Sequence, residues 1–204
     1  NDIPFFLNAY GSTDSRFELN THFNKKVSDK WATSLFVHGN ARTQKMDKNN
    51  DGFMDNPLGK QINVLNRWQY TNAEKGWVSF INVRYMKDEK QTGELDFDAN
   101  RDKGTTNFWG SEINTERVDV STKIGYVFPN MPYQSIGFQN AFTSHKQDSY
   151  FGLNDYQIAQ KSFYSNLILN SIINNTKNRF ATGLNFTYDD YNEYLIVPNS
   201  TGNF

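Results

Sequence analysis

One run of this chain carries residues whose types and spacing suit the binding of a hard cation. Asp47, Lys48, Asn49, Asn50, Asp51, Gly52, Phe53, Met54 and Asp55 spell D-x-N-x-D-G-x-x-D, short oxygen-bearing side chains alternating up to a glycine at the sharp turn. Asp47, Asn49, Asp51 and Asp55 would supply side-chain oxygens and Phe53 its carbonyl, an all-oxygen set that suits calcium. The helical calcium hairpin also requires a bidentate glutamate at its twelfth position, and Leu58 stands there. The run is therefore no EF-hand, and no helical pattern flanks it. The expectation is a structural calcium ion stiffening a loop; the alternative is an Asp- and Asn-rich turn that holds no ion.

Other chemistry finds little foothold. The chain has 3 His and no Cys, and it lacks HExxH, GxSxG or a Gly-rich phosphate loop, so the common enzyme classes have no machinery here and no catalytic activity is expected. A formal charge of -1 provides no basic field for nucleic acid. The absence of cysteine removes disulfides and thiolate metal sites and is neutral as to compartment. No stretch of about 18 apolar residues exists, so no membrane helix is expected. The first residues, Asn1 to Tyr10, show no basic start followed by an apolar core, which for an exported protein predicts a processed or partial chain.

The elements that must position the acidic loop are strands. Val118, Val120, Thr122, Ile124, Tyr126 and Phe128 alternate with Arg117, Asp119, Ser121, Lys123 and Gly125, which in a pleated strand places one set on each face. Phe180 to Asp189 and Phe17 to Asn24 follow the same rule. Less regular copies start at Ile62, Trp77, Ile136 and Phe163, with Asn66 interrupting the first of these. Alternation alone is equally compatible with a half-buried strand of a soluble sandwich. Length favours a membrane: Lys30 to Arg42, Trp77 to Lys87 and Tyr156 to Ile173 reach or exceed the roughly 9 to 11 residues of a tilted transmembrane strand. Aromatic residues make up 16% of the chain, and Trp31, Trp68, Tyr70, Trp77, Tyr85, Tyr126, Phe128 and Tyr188 fall near run ends, where amphipathic rings favour the headgroup boundary.

Short links at Val27 to Asp29, Thr71 to Gly76, Asn130 to Pro132 and Asn174 to Thr176 alternate with long links at Thr43 to Lys60, Lys90 to Asn114 and His145 to Asp155. Outer-membrane barrels place short turns in the periplasm and long loops outside. With a first strand at Ile3 to Gly11, a small turn at Ser12 to Asp14 and a last strand from Asn178 to Leu195, the count is about nine, whereas bacterial single-chain barrels have even strand numbers. The fold class expected over 1–204 is thus all-β, a partial transmembrane antiparallel barrel in the cell outer membrane, completed by strands outside this sequence. An eight-stranded barrel with a ragged tail, Pro198 to Phe204 reading as loop, is the alternative.

By alternation Arg67, Gln69, Asn82, Arg84, Arg117, Asp119, Lys123, Gln139 and Asn185 face the lumen. They either meet a small-molecule ligand or solvate the interior and hold a plug by salt bridges. In the outer loops Phe108, Trp109, Tyr150, Phe151 and Tyr156 either stack on a planar ligand, contact a surface lipoprotein or pack on each other.

The unit made by Lys30 to Arg42, the loop KMDKNNDGFMDNPLGK from Lys45 to Lys60, and QINVLNRWQY from Gln61 to Tyr70 resembles TonB-dependent outer-membrane receptors of Bacteroidota, in particular those for cobalamin or ferric siderophores. The resemblance in strand pattern covers most of the chain. It implies a plug domain before Asn1, a barrel of about twenty-two strands of which this chain holds the first nine or so, and uptake of a scarce solute powered by a TonB complex acting on the plug. The segment that touches TonB, the plug and the later strands are absent from this sequence, and no ligand-contact residue transfers. Two other classes stay open: a structural or assembly barrel subunit without transport, and a soluble secreted β-rich module with a calcium-stiffened loop.

Overall fold

In the computed structural model, which describes residues 3–198, the chain is one open antiparallel sheet of nine strands in sequential order. The strands are β1 Phe5–Gly11, β2 Arg16–Lys26, β3 Trp31–Arg42, β4 Leu58–Asn72, β5 Trp77–Gly93, β6 Gly110–Val127, β7 Ser135–Phe151, β8 Asn154–Ile173 and β9 Asn175–Ile196. One short helix, α1 Ala99–Asp102, interrupts the link from β5 to β6. Of the tail expected as loop, all but Pro198 lies outside the described residues.

Tight turns gather at one end of the sheet. Gly76 adopts φ 72° in the β4–β5 turn, and a Cβ there would collide with the Val127 carbonyl, so only glycine lets β6 end against this turn. Asn174, at φ 65°, reverses the chain between β8 and β9; asparagine tolerates this left-handed conformation better than most residues.

Strands at the opposite end run further than the alternation predicts. The link expected from His145 to Asp155 is a correction: β7 and β8 stay paired through Phe151↔Asn154, leaving only Gly152 and Leu153 between them. The run that reads as loop carries polar side chains on both sides of the pleat, so its strands show no apolar alternation. The links expected at Thr43 to Lys60 and Lys90 to Asn114 shorten likewise to 43–57 and 94–109.

Register sorts the side chains onto two unlike faces. Across β9 to β3, the pairs Leu184↔Leu167, Leu167↔Phe138, Phe138↔Ile124, Ile124↔Ser79, Ser79↔Tyr70 and Tyr70↔Trp31 form one continuous row. Nothing covers this face: Leu184 is 75% and Phe186 56% exposed. Its short-turn margin is aromatic, with ring centroids 5.0 Å apart for Trp31 and Tyr70 and 4.7 Å for Trp77 and Tyr126. Its other margin is charged, with Lys87, Glu116 and Lys146 in one cross-strand row. Asn66, the polar interruption on this face, donates to the Ser34 carbonyl at 3.1 Å and accepts from Trp68 Nε1 at 2.8 Å, so its amide is paired without water. On the opposite face stand Asn20, His38, Asn63, Arg84, Asp119 and the other polar members of the alternation.

A conventional core is missing from the sheet. The buried hydrophobic residues among those described are Met54, Phe97 and Tyr150, and all three lie at the long-loop end.

Candidate functional site

The acidic loop folds on its own backbone. Asp47 accepts from the backbone N–H groups of Asp51 at 3.2 Å and Gly52 at 2.9 Å, Asp51 from Phe53 at 2.8 Å, and Asp55 from Lys48 at 2.8 Å. Asn49 bridges to Asp51, donating to its carboxylate at 2.9 Å. Gly52 at φ 85° and Asn50 at φ 58° supply the left-handed turns this wrapping requires. The side chains expected as ligands, Asp47, Asn49, Asp51 and Asp55, are thus gathered within one turn, and Phe53 is tied into it by its N–H. Among the described residues no three or more His, Asp or Glu side chains converge as a preformed metal cage. A cation would draw these oxygens inward, each carboxylate oxygen having lone pairs beyond its present partner.

The second long loop is built around a buried carboxylate. Asp98 caps α1, its Oδ1 accepting from Asn100 N at 2.9 Å. Asp102, 1% exposed, accepts from Arg101 Nε at 2.9 Å, Arg101 Nη2 at 2.8 Å and Asp98 N at 2.9 Å. The Arg101 guanidinium holds the Asp102 carboxyl below the usual carboxylate range, against the opposing effect of desolvation. In the same loop Phe97, 1% exposed, meets the Tyr150 ring at 6.4 Å and presses on Gly110, where a Cβ would come within 2.4 Å of the ring.

The two loops form one cap. Lys45 Nζ donates to the carbonyls of Leu95 at 2.7 Å and Phe97 at 2.6 Å. Leu95 N donates to Gly52 O at 2.8 Å and Met54 N to Gly93 O at 3.0 Å, while Phe53 and Glu94 pair as an isolated bridge. Lys48, on the acidic loop, reaches back to Asp14 at 2.8 Å, and that ammonium holds the half-buried Asp14 carboxyl low.

Of the loop aromatics expected either to meet a ligand or partner or to pack on aromatic neighbours, Tyr150 packs. It is buried under Phe97 with the Lys103 ammonium 4.6 Å from its ring centroid, and it serves as floor for the cap. Tyr156 lies within β8, half-buried, its carbonyl accepting from Ser149. Trp109 and Phe151 are exposed; Trp109 lies 6.5 Å from Phe53, and Phe108 lies under the Arg101 guanidinium at 5.5 Å.

The polar residues expected on one face do share it. Arg67 pairs across with Asn82, Arg84 with Asp119, Lys123 with Gln139, and Gln139 and Asn185 both flank Asn166. Several are already partnered: Arg117 with Asp119 at 2.9 Å, Asp119 with Thr143 at 2.7 Å, Asn82 with Ser121 at 3.1 Å, Gln69 with Thr71 at 3.2 Å, and Arg67 over the Phe80 ring at 4.4 Å. Sequence reasoning missed a second network on this face. His38 Nδ1 lies 2.6 Å from Asn20 Oδ1, and Asn40 Nδ2 reaches both His38 Nε2 at 3.0 Å and Gln61 Oε1 at 2.9 Å. The alternation of Ser34, Phe36, His38 and Asn40 was the available signal, yet the pairing register that links it to Asn20 and Gln61 is invisible without the fold. No protein-family model, curated protein or solved structure matches the chain.

Proposed function

We infer that this sheet is part of the wall of an outer-membrane β-barrel, and that the barrel is a receptor for active uptake of a scarce solute. The observation that carries the reading is the two-faced sheet: an uncovered apolar face bounded by an aromatic margin and a charged one, backed by a polar face. Apolar surface left in water costs roughly 25 cal/mol per Å², and soluble monomers rarely leave patches beyond a few hundred Å². Hydrocarbon removes that cost. From Val118 to Tyr126 the apolar band runs roughly 27 Å along the strand, or about 20 Å at a tilt near 40–45°, close to the thickness of an outer-membrane band.

In lipid the free edges of β1 and β9 need partners, because unpaired backbone groups there are costly. Both strands run in the same direction, so antiparallel closure takes an odd number of further strands. TonB coupling, a plug and a solute of the cobalamin or ferric siderophore kind rest on the resemblance of the unit from Lys30 to Tyr70. In this reading the short-turn end faces the periplasm and the two-loop cap faces outward, where it meets solute or a surface lipoprotein through Trp109 and Phe151.

The test uses the chain's own fluorophores. In bilayers of lipid brominated on the acyl chains, single-tryptophan variants retaining Trp31, Trp68 or Trp77 should be quenched, and one retaining Trp109 should not. Equal quenching of all, or of none, would reject the membrane wall. Calcium in the loop of Asp47, Asn49, Asp51, Phe53 and Asp55 is a separate part of the proposal. Calcium should slow proteolysis within 43–57, and Asp51→Ala should abolish that protection; identical cleavage with and without chelator removes the ion.

A further inference from the structure

On the polar face, β1 to β5 enclose a shallow groove of about 380 Å³ whose two walls differ in kind. One wall is the cross-strand row Phe6↔His22, His22↔Phe36 and Phe36↔Leu65. Phe6 and His22 stack at 5.2 Å with 13° between planes, and Phe36 follows at 5.6 Å. The other wall is the next row outward, Asn20, His38 and Asn63, rich in amide and imidazole edges.

Arg84 closes the end of the apolar row, opposite Leu65. Its Nε donates to Asn63 at 3.1 Å and its Nη2 reaches Met86 Sδ at 3.8 Å, and among the described residues it forms no salt bridge. Its register neighbour Asp119 lies close enough to feel its charge but is hydrogen-bonded by Arg117 and Thr143 instead. Glu18, the other nearby carboxylate, is bound by Arg16 and Asn20 and lies 3.8 Å from His38. His22 Nε2 is shielded without a hydrogen-bond partner. A stacked aromatic floor, a polar edge and an Arg whose hydrogen bonds go to no carboxylate are therefore brought together at one place on the polar face.

We propose that this groove binds a planar aromatic carboxylate, its ring against Phe6, His22 and Phe36 and its anionic group on Arg84. Rings favour offset or tilted aromatic partners at these spacings, and the guanidinium fork matches a carboxylate. The volume suits a small ligand. The proposal deepens the reading of this face as the lumen wall, giving that wall a solute class.

The experiment is a titration of the protein in bilayers with 1-naphthoate, with 1-naphthalenemethanol as the neutral planar control and cyclohexanecarboxylate as the anionic non-planar one. 1-Naphthoate should bind at least tenfold more tightly than either control. Arg84→Gln should weaken it by tenfold or more, Arg84→Lys should restore part of the loss, and Phe36→Leu should weaken it several-fold. Absence of binding, as when a polypeptide segment fills the groove, overturns the proposal. So does equal binding of either control, or indifference to both Arg84→Gln and Phe36→Leu. Tryptophan quenching by brominated lipid, measured on each variant, separates a failed groove from a failed membrane wall: unchanged quenching with lost selectivity sinks the groove alone.

Discussion

Asp102 shows how a single carboxyl can organise a loop. It is buried, it accepts from both Arg101 and the backbone of Asp98, and its affinity for a proton falls below that of a free aspartate. A group whose folded value is depressed stabilises the fold fully above its unfolded value, here about 3.8, and loses that contribution as pH drops through the lower folded value. The cap should accordingly be insensitive to pH from neutrality to about pH 4 and loosen below it. In a variant keeping Trp109 as its sole tryptophan, the fluorescence should change in an acid step below that point. Asp102→Asn should remove the step; an unchanged step would assign it to another carboxyl. Neither Asp102 nor Arg101 stood out in the sequence, because the adjacent pair looks like any solvated charge pair until the fold buries Asp102.

At the scale of elements, sequence and structure agree where one face differs from the other. β6 was legible throughout its apolar part because Val118 to Tyr126 alternates without fault. Its part from Gly110 was not, since Glu112, Asn114 and Glu116 on one side of the pleat and Ser111, Thr115 and Arg117 on the other leave polar groups on both. The cap was hidden for another reason. Met54, Phe97 and Tyr150 come from three separate segments, and the Lys45 to Phe97 tie spans 52 positions, so no local pattern marks their meeting. The acidic loop was legible as a turn and as a set of oxygens, and its anchoring to the second loop was not. Gly110→Ala tests the packing of these elements: the added methyl would run into the Phe97 ring, an overpacking that typically costs about 1–3 kcal/mol. Limited proteolysis should then cut faster within 94–109 and leave the sheet resistant. Unchanged cleavage would show that Phe97 moves aside freely.

For the whole molecule, the proposed membrane wall gives the two unlike faces of the sheet two different media. A soluble domain of 204 residues normally closes around a core; here the described hydrophobic residues bury only in the cap. The most direct measurement is a scan of accessibility along one strand. Because the chain has no cysteine, spin labels can be placed on single cysteines introduced one at a time from Arg117 through Tyr126, with the protein in bilayers. Collision with oxygen, which concentrates in hydrocarbon, and with a water-soluble nickel chelate should alternate with a period of two. Positions 118, 120, 122, 124 and 126 should favour oxygen, and 117, 119, 121, 123 and 125 the chelate. Equal access of the chelate to both sets, or equal shielding of both, would contradict the account.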